Sequence, residues 1–257
     1  MKTKKYIFIL FLLLFFTSSC SFITVEKVFT KSYILSYFEY DSFSLKANGN
    51  AISISNNLST DGYTFKTTGS NLSKYNDICV ANNDVSYNKY VSYWHPGPIA
   101  RANNVFWAND IKKIVVVSDK DFDNNHPAGT PLDDLMTLYG ASPRKFIDSG
   151  YKDRYDWNNV SESFKLNMPE FINYVNLAKP NPDDNPDVNP YDYTLDYYPI
   201  EMKLSQINPG DLNLLWLEMR YLVFDSQPTQ PGSYLLTVSL FLNNGRVMRN
   251  TITKVFE

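Results

Sequence analysis

The chain has 257 residues, enough for one elaborated domain or two small ones. Its 24 basic and 27 acidic residues leave a net charge of −3, which gives no electrostatic footprint for nucleic acid. His95 and His126 are the only histidines and lack helical pair spacing, which argues against a zinc site of three or four ligands. At the start of the chain, Lys2, Lys4 and Lys5 precede an unbroken apolar block from Tyr6 to Phe16, followed by Thr17-Ser18-Ser19-Cys20. A charged start, a short apolar core and small residues before a boundary form an export signal. The block is too short to cross a bilayer core, which needs about 20 residues.

The small residues ahead of Cys20 resemble the lipobox of bacterial lipoproteins. Thr17, in place of the usual Leu, resembles the looser form found in Bacteroidetes. That resemblance implies cleavage before Cys20 and lipidation of its thiol; the alternative is an ordinary secretory signal that happens to contain a Cys. Removal of residues 1–19 leaves 257 − 19 = 238 residues, with 24 − 3 = 21 basic against 27 acidic, net −6. Such a body is not drawn by charge to an anionic membrane surface. Its membrane contact is the acyl chains, of which two or more hold stably. Residues 20–27 then read as the lipidated Cys and a tether. Only Glu26 in the tether is acidic, which leaves the periplasmic and surface-facing sides of the membrane both open. No later segment is long and apolar enough to span a membrane, which predicts a soluble body over residues 28–257. Cys79, in Ile78-Cys79-Val80, reads as a small buried apolar residue.

From Val28 onward the dominant period is two. Ile52 and Ile54 alternate with Ser53 and Ser55, and Tyr63 and Phe65 with Thr64 and Lys66, between turn-forming Asn, Asp, Gly and Ser clusters. Short alternating strands of this kind predict an antiparallel sheet with one solvated face. Ile111–Ser118 is the most strand-like run of the first half. In the middle, Thr130-Pro131-Leu132-Asp133 has a capping residue, a first-turn Pro and a following acid. Leu132, Leu135, Met136 and Tyr139 then stand at helical spacing before Gly140, which predicts a helix. A second helix is predicted over about Met168 to Ala178, with Phe171, Tyr174, Val175 and Ala178 as its apolar stripe. The Pro- and Asp-rich stretch 180–190 reads as an exposed loop, an insertion in preference to a domain linker. Beyond it, Leu212 to Phe224 reads as a long strand with Glu218 and Arg220 on a wet face. Pro231-Gly232-Ser233 opens the next strand, and Asn243-Asn244-Gly245 marks a tight hairpin into the last. The run from Pro231 to Val238 resembles the penultimate strand of immunoglobulin-like domains, where a Tyr sits near the strand start.

Three groups of residues suggest chemistry. Asp119, Asp121 and Asp123 alternate as in calcium loops, but Asn124 replaces the central Gly and Thr130 stands where a bidentate Glu belongs; a polar turn is the competing reading. Tyr87, Tyr90, Tyr93 and Trp94, with Phe106 and Trp107, cluster in sequence, and flat rings are good platforms for sugars or peptides. Tyr93, Trp94 and Trp107 are therefore candidate ligand-binding residues, against the alternative that most are sheet or core residues. The tract Tyr191-Asp192-Tyr193 with Tyr197-Tyr198 has the same character. The chain has no nucleophile elbow, zinc-protease motif, glycine-rich phosphate loop or Cys-x-x-Cys, so no catalytic residue and no cofactor is assigned.

Over Ile114–Asp123 and His126–Leu135 the chain resembles a family of uncharacterised Bacteroidetes lipoproteins grouped as a domain of unknown function. The resemblance implies an exported, lipid-anchored, β-rich protein of the outer membrane. The expected fold is mainly β, an antiparallel immunoglobulin-like β-sandwich with two short helical insertions. The expected role is non-enzymatic, binding or structural, with partners among envelope proteins or glycans. The alternatives are an accessory carbohydrate-binding lipoprotein of a nutrient-uptake system and a fimbrial-type subunit.

Overall fold

A computed structural model describes residues 24–39, 41–56, 63–66, 71–95, 105–169, 171–173, 194–216 and 220–257. The fold is mainly β, with several antiparallel sheets and short helices. The chain divides into two compact units. The small unit holds β1 (Thr24–Thr30) and β6 (Lys89–His95), paired antiparallel with Thr24 opposite His95 and Thr30 opposite Lys89. Phe29 and Tyr90, partners in this register, meet edge to face with ring centroids 5.3 Å apart, and both are exposed. β1 starts inside the segment expected to be a tether, so residues 24–27 are paired strand.

The large unit is built round a five-stranded antiparallel sheet. Its order is β12 (Tyr198–Lys203), β9 (Met136–Ser142), β13 (Tyr221–Phe224), β4 (Ala51–Asn56) and β3 (Phe43–Asn48). A three-stranded antiparallel sheet has the order β15 (Val247–Phe256), β14 (Gly232–Leu242) and β8 (Ile111–Ser118). Period-two alternation divides the side chains of the larger sheet between two cores. Ile52, Ile54, Met136, Leu138, Leu222 and Phe224 share one core with Ile114, Val116, Leu236, Val238 and Leu240 of the smaller sheet. Tyr139, Ala141 and Val223 join a second core on the opposite face.

That second core is closed by helices and loops. α1 (Leu72–Ala81) contributes Tyr75, Ile78 and Cys79, α2 (Arg144–Asp148) contributes Phe146 and Ile147, and α3 (Glu162–Asn167) contributes Phe164. α3 starts where Ser161 Oγ accepts the Phe164 amide at 2.9 Å, a side-chain cap, with Glu162 in the first turn. Another three-stranded sheet, β5 (Tyr63–Lys66), β2 (Ser36–Glu39) and β7 (Val105–Trp107), contains a parallel pair, β2 with β7. A two-residue ladder joins β10 (Tyr155–Asp156) to β11 (Thr194–Leu195). Among the described residues, no helix is long and apolar enough to cross a membrane.

Two expected elements differ, and a third begins where it was expected. The helix expected from Thr130 to Gly140 is a loop followed by β9, whose seven residues are all buried. A strand covered on both faces carries apolar residues continuously, and such a run matches a helical stripe as well as a strand. The helix expected from Met168 begins there: Met168 ends the separate helix α3 (Glu162–Asn167), residues 169 and 171–173 are helical, and 174–178 lie outside the described residues. Of the long strand expected from Leu212, the described residues form strand only in β13: the chain turns at residues 209–214 with Leu214 at φ 54°, and 217–219 lie outside the described residues. Arg220, expected on a wet face, is 1 % exposed, its guanidinium carbon 4.9 Å from the centre of the Trp107 ring.

Leu138 is fully buried at the centre of β9 and Leu166 on α3 is exposed. Leu138→Ala is expected to lower unfolding stability by about 2–5 kcal/mol in urea titrations. Leu166→Ala is expected to change it by no more than about 0.5 kcal/mol.

Candidate functional site

The β8–β9 connection uses its aspartates to hold its own backbone. Asp119 Oδ1 accepts the Leu235 amide at 2.8 Å and Asp121 Oδ1 accepts the Ala128 amide at 2.8 Å. Asp123 Oδ1 accepts the amides of Asn125 and His126 at 2.8 and 2.9 Å. The three carboxylates expected to converge on a calcium ion thus serve separate stretches of chain, and among the described residues no group of three or more His, Cys, Asp or Glu gathers in a metal-holding arrangement. Polar turn chemistry of this kind, in which an Asp bonds to amides a few residues on, accounts for the run.

His126 completes the loop. Its Nδ1 lies 2.7 Å from Asp123 Oδ1 and its Nε2 lies 2.9 Å from Asp134 Oδ1, and its side chain is only 11 % exposed. The carboxylates sit at opposite nitrogens of the ring, so they clamp the imidazole and do not share one point in space. Burial works against the charged ring, but hydrogen bonds and charge from Asp123 and Asp134 outweigh it and raise the His126 pKa. The same contact lowers that of Asp123. Beside the clamp, Phe122 is fully buried and its ring meets those of Phe224, Tyr234 and Phe256.

Of the aromatic platform expected at Tyr93, Trp94 and Trp107, only Trp107 has a described side chain. Trp107 is buried beside Arg220, because β7 places it within the core, so it offers no open face. The side chains of Tyr93 and Trp94 lie outside the described residues; their backbones pair in β6 with Glu26 and Val25. Phe106 is fully buried and Tyr87 half-buried.

Half-exposed rings gather instead in the segment between β9 and β13. Helix α2 ends at Gly150, φ 70°, where the amides of Gly150 and Tyr151 return to the carbonyls of Ile147 and Phe146. Tyr151 follows at φ 63°, an outlying backbone for a bulky residue. Three contacts hold it there: its hydroxyl donates to Asp84 Oδ1 at 2.9 Å, and its ring lies edge to face with Tyr87 and with Phe146. Asp84 is fully buried and also accepts the amides of Tyr33 and Ile34 at 2.7 and 2.9 Å; burial raises its pKa against these hydrogen bonds. Leaving this anchor, the chain reaches Arg154 and Tyr155. The β10–β11 ladder sets Tyr155 opposite Leu195, and Arg154 Nε lies 2.8 Å from Asp196 Oδ1.

Tyr155 and Tyr198 are tilted neighbours with ring centroids 5.4 Å apart, and Tyr155 stands edge to face with buried Trp157 at 5.3 Å. Their hydroxyls are engaged: Tyr155 donates to the Asn159 carbonyl at 3.2 Å and Tyr198 to the Asp153 carbonyl at 2.9 Å. Trp157 Nε1 donates to the Tyr197 carbonyl at 3.1 Å and locks the floor beneath. Lys145 Nζ lies 5.5 Å from the Tyr198 ring centre. Burial, and then the charge of Asp156 or Asp153, raises the pKa of both phenols, so both stay neutral. Of this group, sequence reading singled out Tyr197 and Tyr198. It missed Lys145, Arg154, Tyr155 and Asp196: the short ladder brings Arg154 and Tyr155 to Asp196, and α2 sets Lys145 against Tyr198; the alternation of Tyr155 and Trp157 about Asp156 was the one available signal.

No family model, curated protein or solved structure matches the chain.

The His126 clamp has a signed pH dependence. The His126 contribution is complete below its ordinary pKa of about 6.5 and is lost as pH rises through the raised folded value. The Asp123 contribution is present above its ordinary value of about 3.9 and is lost as pH falls through the lowered folded value. Urea midpoints measured across the neutral range should therefore fall with rising pH for the wild type relative to His126→Gln. Parallel curves for the two proteins would show that the clamp contributes nothing.

Proposed function

We propose that the chain is an exported, lipid-anchored protein of the bacterial outer membrane whose large unit is an immunoglobulin-like, non-enzymatic binding module. The anchor reading rests on the charged start, the apolar block and Cys20 behind small residues. The observation that carries the module reading is strand order. β3, β4, β13 and β9 take the A, B, E and D positions of one sheet, and β15, β14 and β8 the G, F and C positions of the other. β12 is an extra strand beyond D. Tyr234, two residues into β14, donates its hydroxyl to the Gln230 carbonyl four residues back at 2.6 Å. A Tyr tied to upstream backbone at this corner is a hallmark of such sandwiches.

Two observations favour binding over the other roles. Asp84, Asp110, Asp119, Asp121 and Asp123 each accept backbone amides and so act as fasteners of the fold. A fimbrial subunit would receive a neighbour's strand at an open sheet position, whereas here β15 pairs with β14 from Val247 to Phe256 and so fills the G position from its own chain.

Mass spectrometry of the native protein tests the anchor. An N-terminal peptide beginning at Cys20 and carrying acyl mass is expected, and Cys20→Ala is expected to abolish incorporation of labelled palmitate. An uncut native chain with Cys20 unmodified overturns the proposal.

A further inference from the structure

We infer that the surface formed by Tyr155, Tyr198, Arg154 and Asp196, with Lys145 at its margin, is a binding site for a neutral oligosaccharide; the inference rests on the reading of the large unit as a binding module. Three features point to this ligand. The rings of Tyr155 and Tyr198 are half-exposed and fixed, since each hydroxyl is tied to a backbone carbonyl and Trp157 supports Tyr155 from below. Rigid aromatic faces provide apolar contact area at low entropic cost, which suits the C–H faces of a pyranose ring. Beside the rings, the Arg154–Asp196 pair sets donors next to acceptors, and a sugar hydroxyl both donates and accepts.

Charge selects among ligands. Lys145 and Arg154 stand against Asp153, Asp156 and Asp196, so the strip has no excess of positive charge to attract an anion. Asp156 is turned aside, capping the Asn158 amide and the Asn159 side chain at 2.9 and 3.1 Å. A phosphorylated or acidic ligand would need a cluster of arginines, and an extended peptide would pair along the edge strand β12, an outcome the test below separates. A neutral saccharide requires neither arginine cluster nor strand edge and uses the ring faces themselves.

The site is also preorganised. Tyr151 is held at positive φ by Asp84, Tyr87 and Phe146, and this fixes the chain three residues before Arg154. The β10–β11 pairing fixes the opposite wall at Asp196. Because the rings are already ordered, binding need not order them, and that favours affinity.

The test uses calorimetry and intrinsic tryptophan fluorescence on purified Cys20→Ala protein, full-length otherwise. The probes are cellohexaose, xylohexaose, mannohexaose, maltohexaose, laminarihexaose and N-acetylchitohexaose. At least one is expected to bind, with affinity reduced about tenfold or more by Tyr198→Ala or Arg154→Ala. Tyr198→Phe keeps the ring and is expected to keep binding, which separates loss of the platform from loss of the fold; Leu166→Ala, at an exposed position on α3, is expected to bind like the parent. Absence of binding by every probe to the folded protein overturns the inference, as does binding that survives Tyr155→Ala and Tyr198→Ala together. If a peptide library binds at these tyrosines while the saccharides do not, the binding module stands and the saccharide assignment falls; if neither binds, both fall.

Discussion

Strand β9 is buried from Met136 to Ser142, and this double burial governs the architecture of the large unit. A sheet with one covered face alternates apolar and polar residues, and its other face meets water. Here Met136 and Leu138 look into the core shared with β8 and β14, while Tyr139 and Ala141 look into the core closed by α1, α2 and α3. The second face therefore needs a cover, and the cover comes from outside the two main sheets. Segments between β4 and β8 and between β9 and β13, together with the chain ahead of β3, supply it. Tyr33, Tyr37, Phe106, Trp157, Phe164, Phe171 and Trp216 make it strongly aromatic, which explains why so many rings in the sequence are not ligand platforms.

Cations are also used inside. Arg220 lies over Trp107, and Lys254, 4 % exposed, has its Nζ 4.7 Å from the Phe256 ring centre and bonded to the Gly49 carbonyl. Burial lowers the Lys254 pKa, consistent with a charge that has left water. Ring faces offer a buried cation an attractive quadrupole. Both residues fall in strands or beside them, where a charge in the sequence would ordinarily mark the solvated face. Each instead closes a gap between the sheet and an aromatic side chain.

These two habits decide how much of the protein was legible from sequence. The strands Ile111–Ser118 and Gly232–Leu242 and the hairpin at Asn243-Asn244-Gly245 were plain, because local chemistry sets them: β-branched runs, a Pro-Gly opening, and a glycine that takes φ 83°. β9 was not plain, since Met136 and Tyr139 fit a helical stripe with Leu132 and Leu135 of the preceding loop, and only a covering layer distant in sequence makes them strand. Arg220 misled in the same way, because its partner Trp107 is far away in the chain. α1 carried a readable pattern in Leu72, Tyr75, Ile78 and Cys79, which the surrounding period-two runs obscured. At the site, Asp119, Asp121 and Asp123 looked like cation ligands because type and spacing are local. Their actual duty, bonding to amides of Leu235, Ala128 and Asn125, depends on the folded path.

Placement of the tyrosine strip on the covering layer has a further physical reason. The two packed sheets meet through apolar side chains, and a polar ligand site within them would have to break that contact. An insertion is free of this demand on its outer side, provided its inner side is secured. Trp157 secures it by facing Phe164 and Phe171 within the second core while its ring edge supports Tyr155 outside. Tyr198 does so from β12, whose register with β9 fixes it opposite Ser142. Each ring of the strip is thus one step removed from a buried element, so its rigidity is inherited from the core, while loop sequence beyond it remains free to differ without disturbing the sheets.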